Sequence, residues 1–215
     1  MTIRAVVFDL DGTLVDSLPD IAGSMNQVLR ELDLPVHPLA AYRRFVGEGV
    51  ERLVEQALPP SASDRREAAL EAFRSVYGAR LTAESVVYPG IHELLAGLGL
   101  PLAVCSNKPH PLTQRVVREL LGEVDFVCVE GERAPRPRKP DPAMALDVAA
   151  ALSLPPAEVA FVGDTLTDMQ TAVAAGMRPL GVLWGFRDRA ELEAHGAEAT
   201  FSEAHELLSW VRARR

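Results

Sequence analysis

Two aspartates at the end of an apolar run are the first candidates for chemistry in this sequence. Asp9 and Asp11 occur in the segment Asp9-Leu10-Asp11-Gly12-Thr13, directly after Arg4–Phe8. Carboxylates two residues apart at a strand end point to the same side of the pleat. Like charges so close repel each other unless a cation lies between them, and oxygen ligands at this density are typical of Mg²⁺. We therefore expect a divalent cation here, although an Asp-Gly turn with no further role has the same sequence.

Three further polar segments have compositions that suit an anion or metal site. Ser106-Asn107-Lys108 follows the apolar run Pro101–Cys105, and Gly163-Asp164-Thr165-Leu166-Thr167-Asp168 follows Val159–Val162. A hydroxyl with free backbone N–H groups at a helix start binds anions, whereas a lone polar residue there can equally be an N-cap. The third segment, Arg136-Pro137-Arg138-Lys139-Pro140-Asp141-Pro142, precedes a predicted helix. A solvated basic loop is the alternative interpretation for it.

Lysine is rare in this chain, and both lysines fall in these segments. Of 22 basic residues only Lys108 and Lys139 are lysines, and all others are arginines. Arginine carries a planar fork of donors and lysine a compact point charge, so the two do not replace each other at a tight site. The position of both lysines beside predicted carboxylate or anion sites indicates that they belong to one site.

Five short apolar runs predict strands that are buried on both faces. They are Arg4–Phe8, Pro101–Cys105, Asp125–Val129, Val159–Val162 and Pro179–Trp184. Helical periodicity fills most of the intervals after Cys105, and one helix is expected to end at Gly176. Strands that alternate with helices predict an α/β fold, a doubly wound parallel sheet with a Rossmann-like core.

The stretch between the first two of these strands is predicted to be an insertion. It contains amphipathic segments at 21–32, 50–57 and 70–77 but no convincing strand. We predict a helical cap domain at residues 15–86 and a catalytic core formed by residues 1–14 and 87–215. Ligands of open parallel sheets bind beyond the carboxyl ends of the strands, so this cap would cover the crevice, either as a lid or as a packing subdomain without gating.

Composition excludes several classes of protein. The chain has 215 residues, 48% hydrophobic, and a net charge of −8, which disfavours binding to nucleic acid. No apolar run approaches the roughly 20 residues of a membrane span, and the N-terminus lacks the pattern of a signal peptide. Cys105 and Cys128 lie in predicted strands and are expected to be reduced thiols. We expect a cytoplasmic monomer or homodimer without membrane or nucleic-acid partners.

The segments DLDGTLVDS, CSNK, RKPDP and GDTLTDM, in this order, resemble the four motifs of the haloacid dehalogenase superfamily. The resemblance covers essentially the whole chain. It implies that Asp9 is the nucleophile that accepts a phosphoryl group, that Asp11 is the general acid and base, and that Lys139 neutralises charge at the reacting atoms. Ser106 and Asn107 resemble the pair that holds the phosphate, and we assign Thr13 to substrate binding as well.

The same resemblance implies the metal site. Asp164 is similar to the Mg²⁺ ligand of the family and Asp168 to its supporting carboxylate. Asp9 and the backbone carbonyl of Asp11 would complete the ligands of the cation. Whether Asp168 contacts the metal directly or through water stays open.

Two departures narrow the choice of reaction within the superfamily. Metal-independent dehalogenases lack the second carboxylate, which is present here as Asp11, and phosphonate-cleaving relatives use a cap lysine, whereas residues 14–88 contain none. A phosphatase, a pyrophosphatase or a sugar-phosphate mutase remains. A receiver-like module that binds partners when phosphorylated is the alternative from another class, but such modules are smaller and lack the insertion.

The cap segment Tyr42–Val50 resembles the substrate-facing loop of phosphoglycolate phosphatases. It predicts that Arg43 or Arg44 binds the carboxylate of a small substrate bidentately, and that Gly47 lies against that substrate. The alternative is that both arginines are solvated helix residues. The expected activity is hydrolysis of a small phosphorylated metabolite, 2-phosphoglycolate or a phosphomonoester of similar size, with Mg²⁺ and through an aspartyl-phosphate.

Overall fold

The computed structural model describes residues 2–215 and has the predicted α/β architecture. Its strands are β1 (Ala5–Phe8), β2 (Val15–Asp16), β3 (Val86–Val87), β4 (Leu102–Pro109), β5 (Phe126–Glu132), β6 (Val159–Gly163), β7 (Arg178–Val182) and β8 (Ala199–Phe201). Its α-helices are α1 (Leu18–Glu31), α2 (Leu39–Phe45), α3 (Val50–Ala57), α4 (Arg66–Arg80), α5 (Ile91–Leu98), α6 (His110–Leu120), α7 (Ala143–Ala151), α8 (Leu166–Ala175), α9 (Arg189–Ala194) and α10 (Ala204–Arg212). Short 3₁₀ turns occupy Pro60–Arg65 and Pro156–Glu158.

Six strands form one parallel sheet in the order β5-β4-β1-β6-β7-β8. β1 lies in its interior, and alternate side chains of β1 belong to separate core clusters on the two faces. Val6 and Phe8 belong to the cluster that includes helices α5, α6 and α10, and Ala5 and Val7 to the one that includes α7 and α8. Because both faces are covered, β1 is an unbroken apolar run rather than an alternating one.

Helices α1–α4 lie between β2 and β3, which pair antiparallel through Val15↔Val87 and Asp16↔Val86. Neither of these two-residue strands was predicted, nor was β8, because so short a strand carries no periodicity. The amphipathic segments of the insertion form α1, α3 and α4, and α2 follows Pro38. We use the word cap for residues 15–86 below; the division into two domains stays a prediction.

The boundaries of two strands bear on the site. β4 was predicted to end at Cys105 but continues to Pro109, so Ser106, Asn107 and Lys108 lie in the last part of a strand. β7 ends at Val182, earlier than the predicted Trp184. Helix α8 ends as predicted, with Gly176 left-handed at φ 71°. No helix within residues 2–215 is both long and apolar enough to cross a membrane.

Candidate active site

The predicted chemical residues meet at the carboxyl edge of the sheet. Asp9 follows β1, and β1 lies between β4 and β6. Ser106, Asn107 and Lys108 come from the end of β4, and Asp164 follows β6. The loop between β5 and α7 supplies Lys139. Since neighbouring parallel strands end at the same edge, four distant segments of sequence converge on one crevice.

Three carboxylates form a buried acidic cluster. Asp9, Asp164 and Asp168 each place one oxygen within 4.8 Å of the others, and all three are buried. Asp11, the fourth predicted member, directs its carboxylate to Lys108 instead, at 2.9 and 3.1 Å from the ammonium nitrogen. The Asp11 side chain therefore belongs to a neighbouring ion pair. Its backbone carbonyl is left to act as the metal ligand that the family resemblance implies.

Backbone and hydroxyl donors orient Asp164. The Thr13 hydroxyl donates to Oδ1 at 2.9 Å, and the Phe186 amide donates to Oδ2 at 2.8 Å. A Cβ on Gly12 or on Gly185 would overlap with the Asp164 side chain, so glycine is required at both positions. Thr13 was predicted to bind substrate, but its hydroxyl is used here to hold a carboxylate in place.

Lys139 neutralises part of this cluster. Its ammonium nitrogen lies 2.7 Å from Asp168 Oδ1, 3.0 Å from Asp9 Oδ1 and 2.8 Å from the Cys105 carbonyl oxygen. The other oxygen of Asp168 accepts from Thr165, as in a capping box. Burial would lower the pKa of Lys139, but Asp168 and Asp9 raise it above its ordinary value. The lysine is therefore a permanent cation, and both oxygens of Asp168 are already occupied.

The negative charge that remains suits a divalent cation. Four carboxylates, those of Asp9, Asp11, Asp164 and Asp168, face two ammonium groups, which leaves two negative charges uncompensated. Asp9 Oδ1 is buried and makes no hydrogen bond of good geometry, although Lys139 lies 3.0 Å away. Burial and repulsion from Asp168 raise the pKa of Asp9 to about 7, and burial with the same repulsion raises the pKa of Asp164 as well. Oxygen donors of this kind fit Mg²⁺.

These charges predict how pH and metal act on stability. The pKa of Asp9 is 3.8 in an exposed chain and about 7 in the fold. Proton binding to Asp9 therefore stabilises the metal-free protein: this contribution to the free energy of unfolding is complete below about pH 4 and is lost as the pH rises through about 7. A cation replaces the missing proton. We expect Mg²⁺ to raise the melting temperature more at about pH 8 than at about pH 5.5. Scanning calorimetry with Mg²⁺ and with a chelator measures this difference, and Asp9→Asn should reduce it. Equal shifts at both pH values would contradict the assignment.

Ser106 and Asn107 have different surroundings. Ser106 lines the cavity, and its Oγ accepts from the Lys108 amide at 3.3 Å. The Asn107 side-chain amide donates to the carbonyls of Lys139 and Gly47 and accepts from the Lys139 amide. Both donors of Asn107 are thus occupied: it fixes the lysine loop and ties the cap to the core. Only the backbone of Asn107 is therefore available for the predicted contact with a phosphate. The Ser106 hydroxyl can still donate to a phosphate oxygen.

Lys108 and Tyr77 form a second buried pair that includes a residue the sequence analysis missed. Lys108 Nζ donates to Asp11 and to the Tyr77 hydroxyl, and its side chain is 2% exposed. Tyr77 was assigned to the apolar face of a cap helix, which is correct for its ring, stacked on Phe73. A buried tyrosine needs a hydrogen-bond partner for its hydroxyl. This requirement was the one feature of the sequence that could have indicated a polar contact at Tyr77.

The cavity above Asp9 is small, about 50 Å³, and mostly apolar. Cap residues supply most of its walls: Ile21, Val46, Gly47, Gly49, Val50, Leu53, Phe73 and Tyr77. The core contributes Asp9, Asp11, Ser106, Asn107, Lys108 and Pro109. Gly47 is thus one of the cavity-lining residues, and its contact with a substrate stays a prediction.

Arg43 and Arg44 lie outside this cavity. They line a separate surface groove, and Arg43 donates to the Gly185 carbonyl. Their position follows from the seven-residue helix α2, because Tyr42 is completely buried and the next two residues point outward. The predicted contact between one of these arginines and a substrate carboxylate does not agree with this arrangement.

Comparison with known proteins shows which family this chain is similar to. The haloacid dehalogenase-like hydrolase family matches residues 3–176. The phosphoglycolate phosphatase of Nitrosospira multiformis is 34% identical over 97% of this chain and 96% of its own length, and that of Rhodospirillum rubrum is 37% identical over 97% and 90%. A haloacid dehalogenase-like family hydrolase from Streptococcus pneumoniae superposes with a TM-score of 0.88 at 27% identity, over 97% of this chain and 98% of its own.

Proposed function

Because the chain belongs to the haloacid dehalogenase-like hydrolase family and is a phosphoric monoester hydrolase, we propose that it hydrolyses 2-phosphoglycolate with Mg²⁺ through an aspartyl-phosphate. The acidic cluster with Lys139, next to the Lys108–Asp11 ion pair that lines the cavity, is the observation that carries the proposal. The names of the curated relatives, which span nearly the whole chain, support the choice of substrate.

Asp9 would act as the nucleophile. An oxygen of its carboxylate attacks the phosphorus atom, the P–O bond to glycolate breaks, and an aspartyl-phosphate forms. Lys139 lies 3.0 Å from Asp9 Oδ1 and offsets charge on the nucleophile as the phosphoryl group arrives. Asp9 and Asp164 would hold Mg²⁺, with Asp168 supporting them through Lys139. The cation would reduce the repulsion between the carboxylate and the phosphoryl oxygens.

Asp11 would carry the proton in both half-reactions. As a carboxylic acid it gives its proton to the departing glycolate oxygen, and as a carboxylate it then takes a proton from water. That water attacks the phosphorus atom and releases inorganic phosphate and free Asp9. Asp11 lies two residues beyond Asp9 and lines the same cavity. Its ion pair with Lys108 holds the carboxylate in one orientation between steps.

The apolar walls also bear on the alternatives. A sugar-phosphate mutase needs hydrogen-bonding groups for several hydroxyls, and a pyrophosphatase needs further cations for a second phosphate. The cap side of the cavity offers Ile21, Val50, Leu53 and Phe73, with Tyr77 as its one side-chain hydroxyl. A leaving group with a short carbon chain and a single charge matches these walls better.

A panel of phosphate esters tests the proposal. We expect kcat/KM with Mg²⁺ to be at least about 10²-fold higher for 2-phosphoglycolate than for β-glucose 1-phosphate or nucleoside monophosphates, because the mostly apolar cap walls of the cavity offer few partners for the hydroxyls and bases of these larger esters. Mass spectrometry of acid-quenched enzyme should show one added phosphoryl group on Asp9. A flat profile would reject the substrate, turnover confined to pyrophosphate would favour the pyrophosphatase, and no turnover would favour a binding module.

A further inference from the structure

Lys108 is the basic side chain that lines the cavity among residues 2–215. The other buried lysine, Lys139, contacts Asp9 and Asp168 beneath the floor. Arg43 and Arg44, which the sequence suggested as anion ligands, face a different groove. An anionic end of a substrate that enters this cavity therefore meets one cation, Lys108.

The ammonium group of Lys108 can donate a hydrogen bond to a substrate anion and still contact both Asp11 and Tyr77. It carries three N–H donors. One is directed to the Tyr77 hydroxyl, and two lie on the two oxygens of the Asp11 carboxylate, at 2.9 and 3.1 Å. One hydrogen bond to Asp11 is enough to keep the pair, so the remaining donor is available to a substrate oxygen.

Tyr77 supplies a second donor at the same point. Its hydroxyl accepts from Lys108, and within the described part of the chain it has no acceptor for its own proton. Burial raises the pKa of Tyr77 to about 12, so the proton is retained at neutral pH. Lys108 comes from β4 of the core and Tyr77 from α4 of the cap. The two donors meet when the cap covers the core, as it does here.

The position of this pair matches a short substrate. Lys108 contacts the same carboxylate, Asp11, that protonates the leaving oxygen in the proposed reaction. An anion on Lys108 thus lies within a few atoms of that oxygen. In 2-phosphoglycolate the carboxylate carbon is two bonds from the bridging oxygen, whereas a phosphomonoester without a carboxylate would offer Lys108 no acceptor beyond Asp11 and Tyr77.

We propose that Lys108, assisted by the Tyr77 hydroxyl, binds the substrate carboxylate and is the residue that determines specificity for a small carboxylated phosphomonoester. This inference rests on the proposed function, and it transfers to Lys108 the role that the sequence suggested for Arg43 or Arg44.

The test is a discrimination ratio: kcat/KM for 2-phosphoglycolate divided by kcat/KM for 2-hydroxyethyl phosphate, which has the same carbon chain without the charge. Lys108→Met should lower the ratio by about 10- to 100-fold, the effect of losing a charge-assisted hydrogen bond. Tyr77→Phe should lower it by about 3- to 10-fold. Lys108→Arg should recover part of the loss because the charge is kept. Loss of support for Asp11 slows both substrates alike and cancels in the ratio.

The results for the wild type and the variants distinguish a wrong substrate from a wrong assignment of Lys108. A wild-type ratio near one, with good turnover of both esters, would overturn the proposed substrate and this inference together. A high wild-type ratio that Lys108→Met and Tyr77→Phe leave unchanged would overturn the inference alone. A fall of the ratio in Arg44→Met, with none in Lys108→Met, would return the role to the cap arginine. If Lys108→Met does not fold, as judged by circular dichroism, Tyr77→Phe and Lys108→Arg decide the question.

Discussion

Replacing Asp9 by Asn is expected to lower kcat for 2-phosphoglycolate by on the order of 10⁴- to 10⁶-fold and, at the same time, to stabilise the metal-free protein. An amide oxygen is too weak a nucleophile to take the phosphoryl group. It also carries no charge, so the repulsion from Asp168 and the cost of burying a carboxylate disappear. The measurements are single-turnover kinetics and melting temperature in a chelator.

The matched control for this variant is Asp125→Asn, the same chemical change at an exposed position. It should alter neither turnover nor melting temperature. Activity above about 1% of wild type in Asp9→Asn would show that another group takes the phosphoryl group. A lower melting temperature in the chelator would show that the Asp9 carboxylate is better compensated by Lys139 than we infer.

Replacing Lys139 by Met should reduce both activity and stability. The side chain is 1% exposed and holds Asp9, Asp168 and the Cys105 carbonyl together. Removing one partner of a buried ion pair costs about 3–5 kcal/mol, because the remaining charges are left without compensation. Turnover should fall by roughly 10³-fold since a positioned cation at the reacting atoms is lost. Urea unfolding and steady-state kinetics measure the two effects.

An exposed ion pair provides the comparison for Lys139. Arg4 contacts Glu158 at 2.8 Å with its side chain 58% exposed, so Arg4→Met should cost at most about 1 kcal/mol and leave turnover unchanged. The double variant Lys139→Met/Asp168→Asn should recover part of the stability but not the activity. If Lys139→Met alone were as stable as wild type, this would show that a group other than Lys139 compensates the charges of Asp9 and Asp168.

The sequence was informative wherever a short motif sits at the end of a well-marked strand. The apolar runs of β1, β4 and β6 placed Asp9, Ser106 and Asp164 at one edge, because in a parallel sheet order along the chain translates directly into position at that edge. The acidic cluster and its lysine followed from this. The haloacid dehalogenase resemblance supplied the roles, and the family comparison confirmed the resemblance itself.

What the sequence did not provide is the orientation of side chains in the cap. Arg43 and Arg44 looked like anion ligands by composition, but their direction depends on how Tyr42 buries helix α2. Tyr77 looked like core by periodicity, and the partner of its hydroxyl, Lys108, is 31 residues away. Such contacts are fixed by packing between segments distant in sequence, and no local pattern encodes them.

The paired strands β2 and β3 have a consequence for how this protein can diverge. Both crossings of the chain between core and cap lie side by side, through two residues each, so the cap is a single continuous insertion. The proposed reacting groups, in contrast, follow β1 and β6, lie at the end of β4 or belong to the Lys139 loop, and they contact one another. Changes confined to one uninterrupted stretch of the chain can therefore replace most of the cavity walls and leave the proposed reacting groups in place.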